Sequence, residues 1–168
     1  MKNLLSFGII LIISSLNLSL AQQTIHYEKF CKEICELLVT NNKSEFVKRF
    51  IPTKEDLLEF SYGTMAEKIS KGECEGFFEA VTSTIEILEI DISSSFDFVY
   101  EKLQKNKILK VGNVEIRKST TSKIGEIEVQ NLFFVISDGQ NQFKIELLGI
   151  YQASRDWIIL SDIAPWYF

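Results

Sequence analysis

One histidine, three cysteines and a scatter of carboxylates are the residues of this 168-residue chain that could do chemistry. Their spacing rules out most of it. His26, Cys31 and Cys35 lie close enough in sequence to suggest a metal site. A closed zinc site, however, takes four nitrogen or sulfur ligands, usually in pairs. Here the two thiols are one helical turn apart and no second histidine exists. The sequence therefore predicts no metal and no cofactor. A nucleophilic Ser or Cys needs a base in reach, most often His, and the single His sits at the start of the first helix. Gly72 and Gly76 flank Cys74 without the strand–loop–helix setting of a phosphate loop. The odd cysteine count leaves two readings open. Either Cys74 is bridged to Cys31 or Cys35 in an oxidising compartment, or all three are small apolar core residues.

Two polar residues on apolar strand faces are better candidates. Asn131 alternates with Val129 and Phe133, and Asp162 with Ile158 and Leu160. A polar group on a buried face must find a partner or water. One reading is a pocket in which Asn131, Asp162 and a helix tyrosine, Tyr62 or Tyr100, converge on a ligand. In such a place Asp162 would serve as base and the tyrosine as oxyanion donor of an isomerase or hydro-lyase. The other reading is a strand end that turns these residues to solvent, because sequence does not fix which face of the last strand is buried.

The elements that must position these residues fall in a clear order. Lys2, an apolar run from Leu4 to Leu16 and Ser19-Leu20-Ala21 make the three-part pattern of a cleaved secretory signal. The run is too short and too rich in Ser and Asn for a spanning helix. The expectation is a signal peptide over 1–21, one domain over 22–168, a periplasmic or extracellular destination and no stable membrane insertion after cleavage. Without Lys2 the chain keeps 17 basic against 23 acidic residues. That balance repels phosphate backbones and excludes nucleic acid as a partner. Asn42-Lys43-Ser44 is a glycosylation sequon that would matter only in a eukaryotic host.

Helical periodicity covers 25–41 (Tyr27, Phe30, Ile34, Leu37, Leu38), a short turn from Ser44 (Phe46, Val47, Phe50), and a helix opened by a Thr53/Asp56 capping box. A third long helix runs from Glu73 to about Asp91, with Glu75, Glu79 and Glu86 on its solvated side. Ser93-Ser94-Ser95 is expected to break it, and Ser94 to cap a fourth. After Asn106 the period becomes two. Strands are predicted at 108–117, with a kink at Gly112-Asn113, and at 124–136, 142–152 and 157–163. Asp138-Gly139 is expected to make a tight hairpin with both residues at positive φ. Ile127, Val129, Phe133 and Val135 are assigned to one side of the second strand. Phe143, Ile145, Leu147 and Tyr151 are assigned to one side of the third. Helices followed by strands indicate an α+β fold, with N-terminal helices on a curved four-stranded antiparallel sheet, cone-shaped overall.

This order, with the closing pattern Phe143-x-Ile145-x-Leu147, then Trp157-Ile158-Ile159 and Asp162-Ile163, resembles the nuclear-transport-factor-two-like superfamily. That is the cone fold of scytalone dehydratase and ketosteroid isomerase. The resemblance covers roughly residues 25–165 and implies a concave sheet with a pocket under the helices. No catalytic position of those enzymes aligns here. The resulting expectation is an exported, non-catalytic module that binds a small apolar ligand or a protein partner. The alternatives are the Asp/Tyr enzyme, and a self-association domain that dimerises through Leu132, Phe134, Ile136 and Leu148.

Overall fold

The computed structural model describes residues 26–62, 75–124 and 127–165, of which 61, 62, 75–81 and 127 are described by their backbone only. The signal segment, Cys74 and the Trp166-Tyr167-Phe168 tail lie outside these residues. Helix α1 covers 26–39. Its buried stripe is centred on Cys31 and Cys35, with Tyr27, Phe30, Ile34 and Leu38 around them, while Leu37 is half-exposed. Asn41 takes a left-handed conformation (φ 55°) and the Asn42 amide bonds back to the Leu37 carbonyl at 2.8 Å. This closes the helix as a glycine would. Asn42 then caps α2 (Lys43–Phe50), accepting from the Glu45 amide at 3.3 Å.

Helix α3 (Lys54–Tyr62) starts at the capping box that its sequence announces. The Asp56 amide donates to Thr53 Oγ1 at 3.2 Å, and Asp56 Oδ2 accepts from the Thr53 amide at 2.8 Å. The two helices expected on either side of the serine triplet are one. α4 runs unbroken from Glu75 to Lys105. Two things override the local preference of serine for helix ends. Ser94 Oγ bonds back to the Ile90 carbonyl at 2.8 Å, an arrangement that serine tolerates inside a helix. The buried series Ile92, Phe96, Val99, Leu103 also keeps the 3.6 period through the triplet, and burial of such a stripe outweighs propensity. Asp97, one turn on, pairs with Lys43 of α2 at 2.7 Å.

The sheet is an open antiparallel meander, β1 (Asn113–Ile124), β2 (Ile127–Ser137), β3 (Gln142–Gln152) and β4 (Trp157–Pro165), in that spatial order. The first strand begins five residues later than predicted and runs on to Ile124. The residues between Arg117 and Ile124 read as loop because β1 is an edge strand exposed on both faces, so no alternation marks them. Its bulge lies at Arg117, and Gly112 sits before the strand, where a Cβ would come 2.8 Å from the Ser137 carbonyl oxygen. The hairpin at Asp138-Gly139 is a four-residue loop, since Ser137 pairs with Gln142. Only Gly139 has positive φ (96°). Asp138 accepts from the Asn141 and Gln140 amides, which hold its carboxyl below the usual range.

The inner face of the sheet is the reverse of the expected one on β2. Leu132, Phe134 and Ile136 are completely buried against the helices. Phe133 and Val135 point to the outer face. A dimer through Leu132, Phe134 and Ile136 is therefore sterically closed. On β3, Ile145 and Leu147 face inward as predicted and Phe143 packs at the margin of the core. Tyr151 does not. Gly149, at φ 65°, bulges the strand so that Ile150 takes the next inward position. Tyr151 is turned outward and meets Phe60 of α3 edge-on at 5.2 Å. Phe46, Phe50, Phe96 and Phe134, all without solvent exposure, fill the space between helices and sheet.

Candidate functional site

The four residues expected to converge on a ligand are dispersed. Tyr100 is half-buried against the core on the helical side of the sheet. Asp162 pairs with Leu148 on the opposite side, since its neighbour Ile163 is in the core. Its Oδ1 accepts the Ile163 amide at 2.7 Å. Asn131 is also on the outer face, and its role is to complete the bulge. Oδ1 accepts the Gly149 amide at 2.9 Å and Nδ2 donates to Ser122 Oγ at 3.0 Å. The side chain of Tyr62 lies outside the described residues. Asp162 and Tyr100 thus do not share a pocket, and the geometry of a base beside an oxyanion donor is not formed by them.

Asp162 does influence Glu146, its neighbour on β3. Burial, and then the Asp162 charge, push the Glu146 carboxyl above the ordinary glutamate range. A carboxyl raised in the folded state favours folding when protonated. Its ionisation erodes stability as pH rises from the unfolded glutamate value through the folded one. Glu146→Gln is accordingly expected to raise the midpoint of thermal unfolding at neutral pH. The gain should vanish once the pH falls below the ordinary glutamate value, as scanning calorimetry at the two pH values would read.

Cys31 and Cys35 are free thiols, both fully buried. Burial pushes both thiols up, assisted at Cys31 by Cys35 and Glu28 and at Cys35 by Glu36. A thiol held protonated in an apolar core is neither nucleophile nor ligand. Among the described residues no group of three or more His, Cys, Asp or Glu could hold a metal ion.

The residues that do converge were not apparent as a set in the sequence. The chain folds the β3–β4 turn, Ala153–Asp156, against the ends of α1 and α2. The turn is closed by the Ala153 amide on the Asp156 carbonyl at 3.0 Å. Glu33, one turn beyond Lys29 and Phe30 on α1, accepts from Arg49 of α2 at 2.6 Å. The same guanidinium lies 3.4 Å from Asp156. Behind this trio Tyr27 and Phe30 pack against Trp157 with their rings tilted, centres 5.4 and 5.9 Å away. The result is an open cleft of about 280 Å³ with His26, Lys29, Arg49 and Glu33 on its helical side and Arg155, Asp156 and Trp157 on its sheet side.

Arg155 supports the cleft from below. Its Nε donates to Asp56 Oδ2 at 2.6 Å, and its two terminal nitrogens donate to the carbonyls of Arg49 (3.2 Å) and Ile51 (2.9 Å). Asp56 is the buried charged residue of the described chain, 4% exposed. The partners are about a hundred positions apart in sequence, so no spacing rule could join them. The capping box at Thr53 and the turn at 154–156 were the only local signs.

The architecture is that of an α+β domain with helices preceding an open, curved antiparallel meander, and the cleft sits where the last turn meets the first two helices. Compared with known proteins, the chain matches no protein-family model, no curated protein and no solved structure.

Proposed function

We propose that this protein is an exported, non-catalytic binding domain, and that the cleft between α1, α2 and the β3–β4 turn receives its ligand. The observation that supports this is the composition of the cleft wall. A half-buried tryptophan forms an apolar side next to a guanidinium already fixed in orientation by Glu33, and Lys29, 4.0 Å from the other oxygen of Glu33, stands at the mouth with its side chain 77% exposed. A few oriented polar groups beside an aromatic wall are what small-molecule sites share. The cleft contains no nucleophile with a base oriented toward it, which favours binding over turnover.

The lining favours a small amphipathic carboxylate over the wholly apolar ligand expected from sequence. The apolar body would lie on Trp157, and the carboxylate would meet Arg49 and Lys29. Lys2, the apolar run to Leu16 and Ser19-Leu20-Ala21 support export. Helices first and a curved antiparallel sheet after support a distant kinship with the nuclear-transport-factor-two-like superfamily. No helix of the described residues is long and apolar enough to cross a membrane.

A thermal-shift screen of aromatic and aliphatic carboxylates tests the reading. A ligand at a hundredfold excess over its Kd stabilises the folded state by about 2.7 kcal/mol, which is readily seen as a rise in Tm. Arg49→Met should keep the fold and remove the shift. A shift that survives in Arg49→Met would place the ligand elsewhere, and a screen in which no carboxylate acts would end the proposal.

A further inference from the structure

The chain is acidic overall, yet from Lys102 to Lys110 it carries Lys102, Lys105, Lys107 and Lys110 and no carboxylate. This local reversal of sign sits where α4 ends and the chain crosses to β1. β3 begins at the same end of the sheet. Its Lys144 shares with Lys102, Lys105, Asn106 and the half-buried Phe143 a cleft of about 310 Å³. The Lys102 ammonium stands at the cleft edge, 4.9 Å from the centre of the Phe98 ring.

The turn after α4 keeps its carbonyls in and its cations out. Asn106 returns its amide and its Nδ2 to the Lys102 carbonyl at 3.0 and 2.8 Å. The Lys107 amide donates to the Gln104 carbonyl and the Ile108 amide to the Leu103 carbonyl, both at 3.0 Å. The carbonyl end of the helix, which disfavours anions, is thus occupied by the chain's own donors. Lys107 closes the turn in the left-handed conformation (φ 60°), at a position where glycine or asparagine is preferred. A lysine kept where the backbone disfavours it points to a use for its charge. Ile108 is completely buried, while Leu109, between Lys107 and Lys110 in the chain, is 65% exposed.

We propose that this end of the domain docks on an anionic lipid bilayer, with Leu109 entering the interface and the lysines meeting headgroup phosphates. Two observations select a bilayer among polyanions. The first is the exposed leucine. A nucleic acid backbone or an acidic polysaccharide offers it nothing apolar, whereas the boundary between headgroups and acyl chains does.

The second is where the carboxylates lie. Glu101 is one turn before Lys105, and Asp138 is held by the Gln140 and Asn141 amides close to Lys110. Glu115 is paired with Arg117 at 2.8 Å. The basic end therefore sets five lysines against two carboxylates that lack a cationic partner within 4 Å among the described residues. Glu86, Glu89 and Asp91 lie about 20–30 Å from Lys105 along the axis of α4, at least about two Debye lengths. A flat surface touches only the basic end and leaves that acidic stretch screened. A polymer that wraps the domain meets the acidic flank as well and is repelled. The α1–α2 cleft is at the other end of the sheet, by the β3–β4 turn, so docking leaves it open and the two readings fail separately.

Co-sedimentation of the full chain with vesicles of phosphatidylcholine, with and without phosphatidylglycerol, tests the proposal. The readout is the ratio of the two partition coefficients, because the apolar run from Leu4 to Leu16 would enter both kinds of vesicle. The ratio should exceed one at low salt and fall steeply as salt is raised. Lys105→Gln with Lys110→Gln should cut it about 25-fold, or about fivefold for each lysine. Leu109→Ser should weaken binding to the anionic vesicles about fivefold. Lys107→Gly separates docking from folding: it should raise Tm by relieving the left-handed lysine, yet lower the ratio about fivefold. Equal partition into the two kinds of vesicle at low salt overturns the proposal. A ratio indifferent to Lys107→Gly and to the glutamine pair overturns the site. Binding that is as strong to heparin and indifferent to Leu109→Ser overturns the bilayer as partner.

Discussion

Replacing Asp56 by Ala is expected to destabilise the domain by about 2–3 kcal/mol, below the range for a fully buried ion pair because water partly solvates Arg155. A single oxygen of Asp56 accepts from the Thr53 amide, the Thr53 hydroxyl and Arg155 Nε, the last at 2.6 Å. Truncation removes the Asp56 half of the capping box, the acceptor of the Thr53 amide, and leaves the Arg155 side chain, roughly a third exposed, without its counter-charge. Asp56→Asn keeps the shape and an accepting oxygen but not the charge, so it should fall between wild type and alanine. Urea unfolding of Asp56→Ala, Arg155→Met and the double variant gives the coupling directly. Single losses that merely add would show that the two residues act separately.

Gly149→Val carries the other large effect, about 2–5 kcal/mol from backbone strain plus overpacking. At φ 65° a β-branched residue is strongly disfavoured. The new Cβ would stand 2.8 Å from the Ser161 Cβ and 3.3 Å from its amide nitrogen. Relief would require the strand to abandon the bulge. That would turn Ile150 outward and Tyr151 inward and strip Asn131 of its amide partner. Gly149→Ala should show the same defect at smaller size. Chemical denaturation with an unchanged slope on denaturant would confirm that the fold survives, and a valine variant as stable as wild type would show that the bulge does not depend on glycine.

Much of the fold is legible in the sequence, for physical reasons that differ by element. The Thr53/Asp56 box and the stripe Tyr27, Phe30, Ile34 and Leu38 are local signals, and both are realised. The serine triplet misleads because the face opposite the serines, which buries Ile92 and Phe96, determines the outcome. The far half of β1 carries no strand signal because an edge strand exposed on both faces need not alternate. The face assignment of β2 failed because Val129, Phe133 and Val135 are as apolar as Leu132, Phe134 and Ile136, so alternation alone cannot choose. The alternating run points Tyr151 inward because nothing in it warns that Gly149 takes a positive φ. Asn131 drew attention as a polar residue on an apolar face, and it does have a specific partner, but that partner is the bulge. The cleft was the least legible part. Arg49, Glu33 and Asp156 are ordinary surface charges until the last turn is laid against the first helices.

The order of the elements has a consequence for how the protein is made. Synthesis completes α1 to α4 by Lys105, some fifty residues before β4, the strand on which α4 lies most closely, is available. Until then the sheet that covers Phe46, Phe50 and Phe96 lacks its last strand, and Asp56 waits for Arg155. A nascent chain that has made its helices but not β4 leaves apolar surface uncovered, the condition under which partly folded chains aggregate when crowded. A chain clipped before Trp157 would keep the helices and β1 to β3 but lose the strand on which α4 lies most closely, leaving part of the apolar side of α4 uncovered.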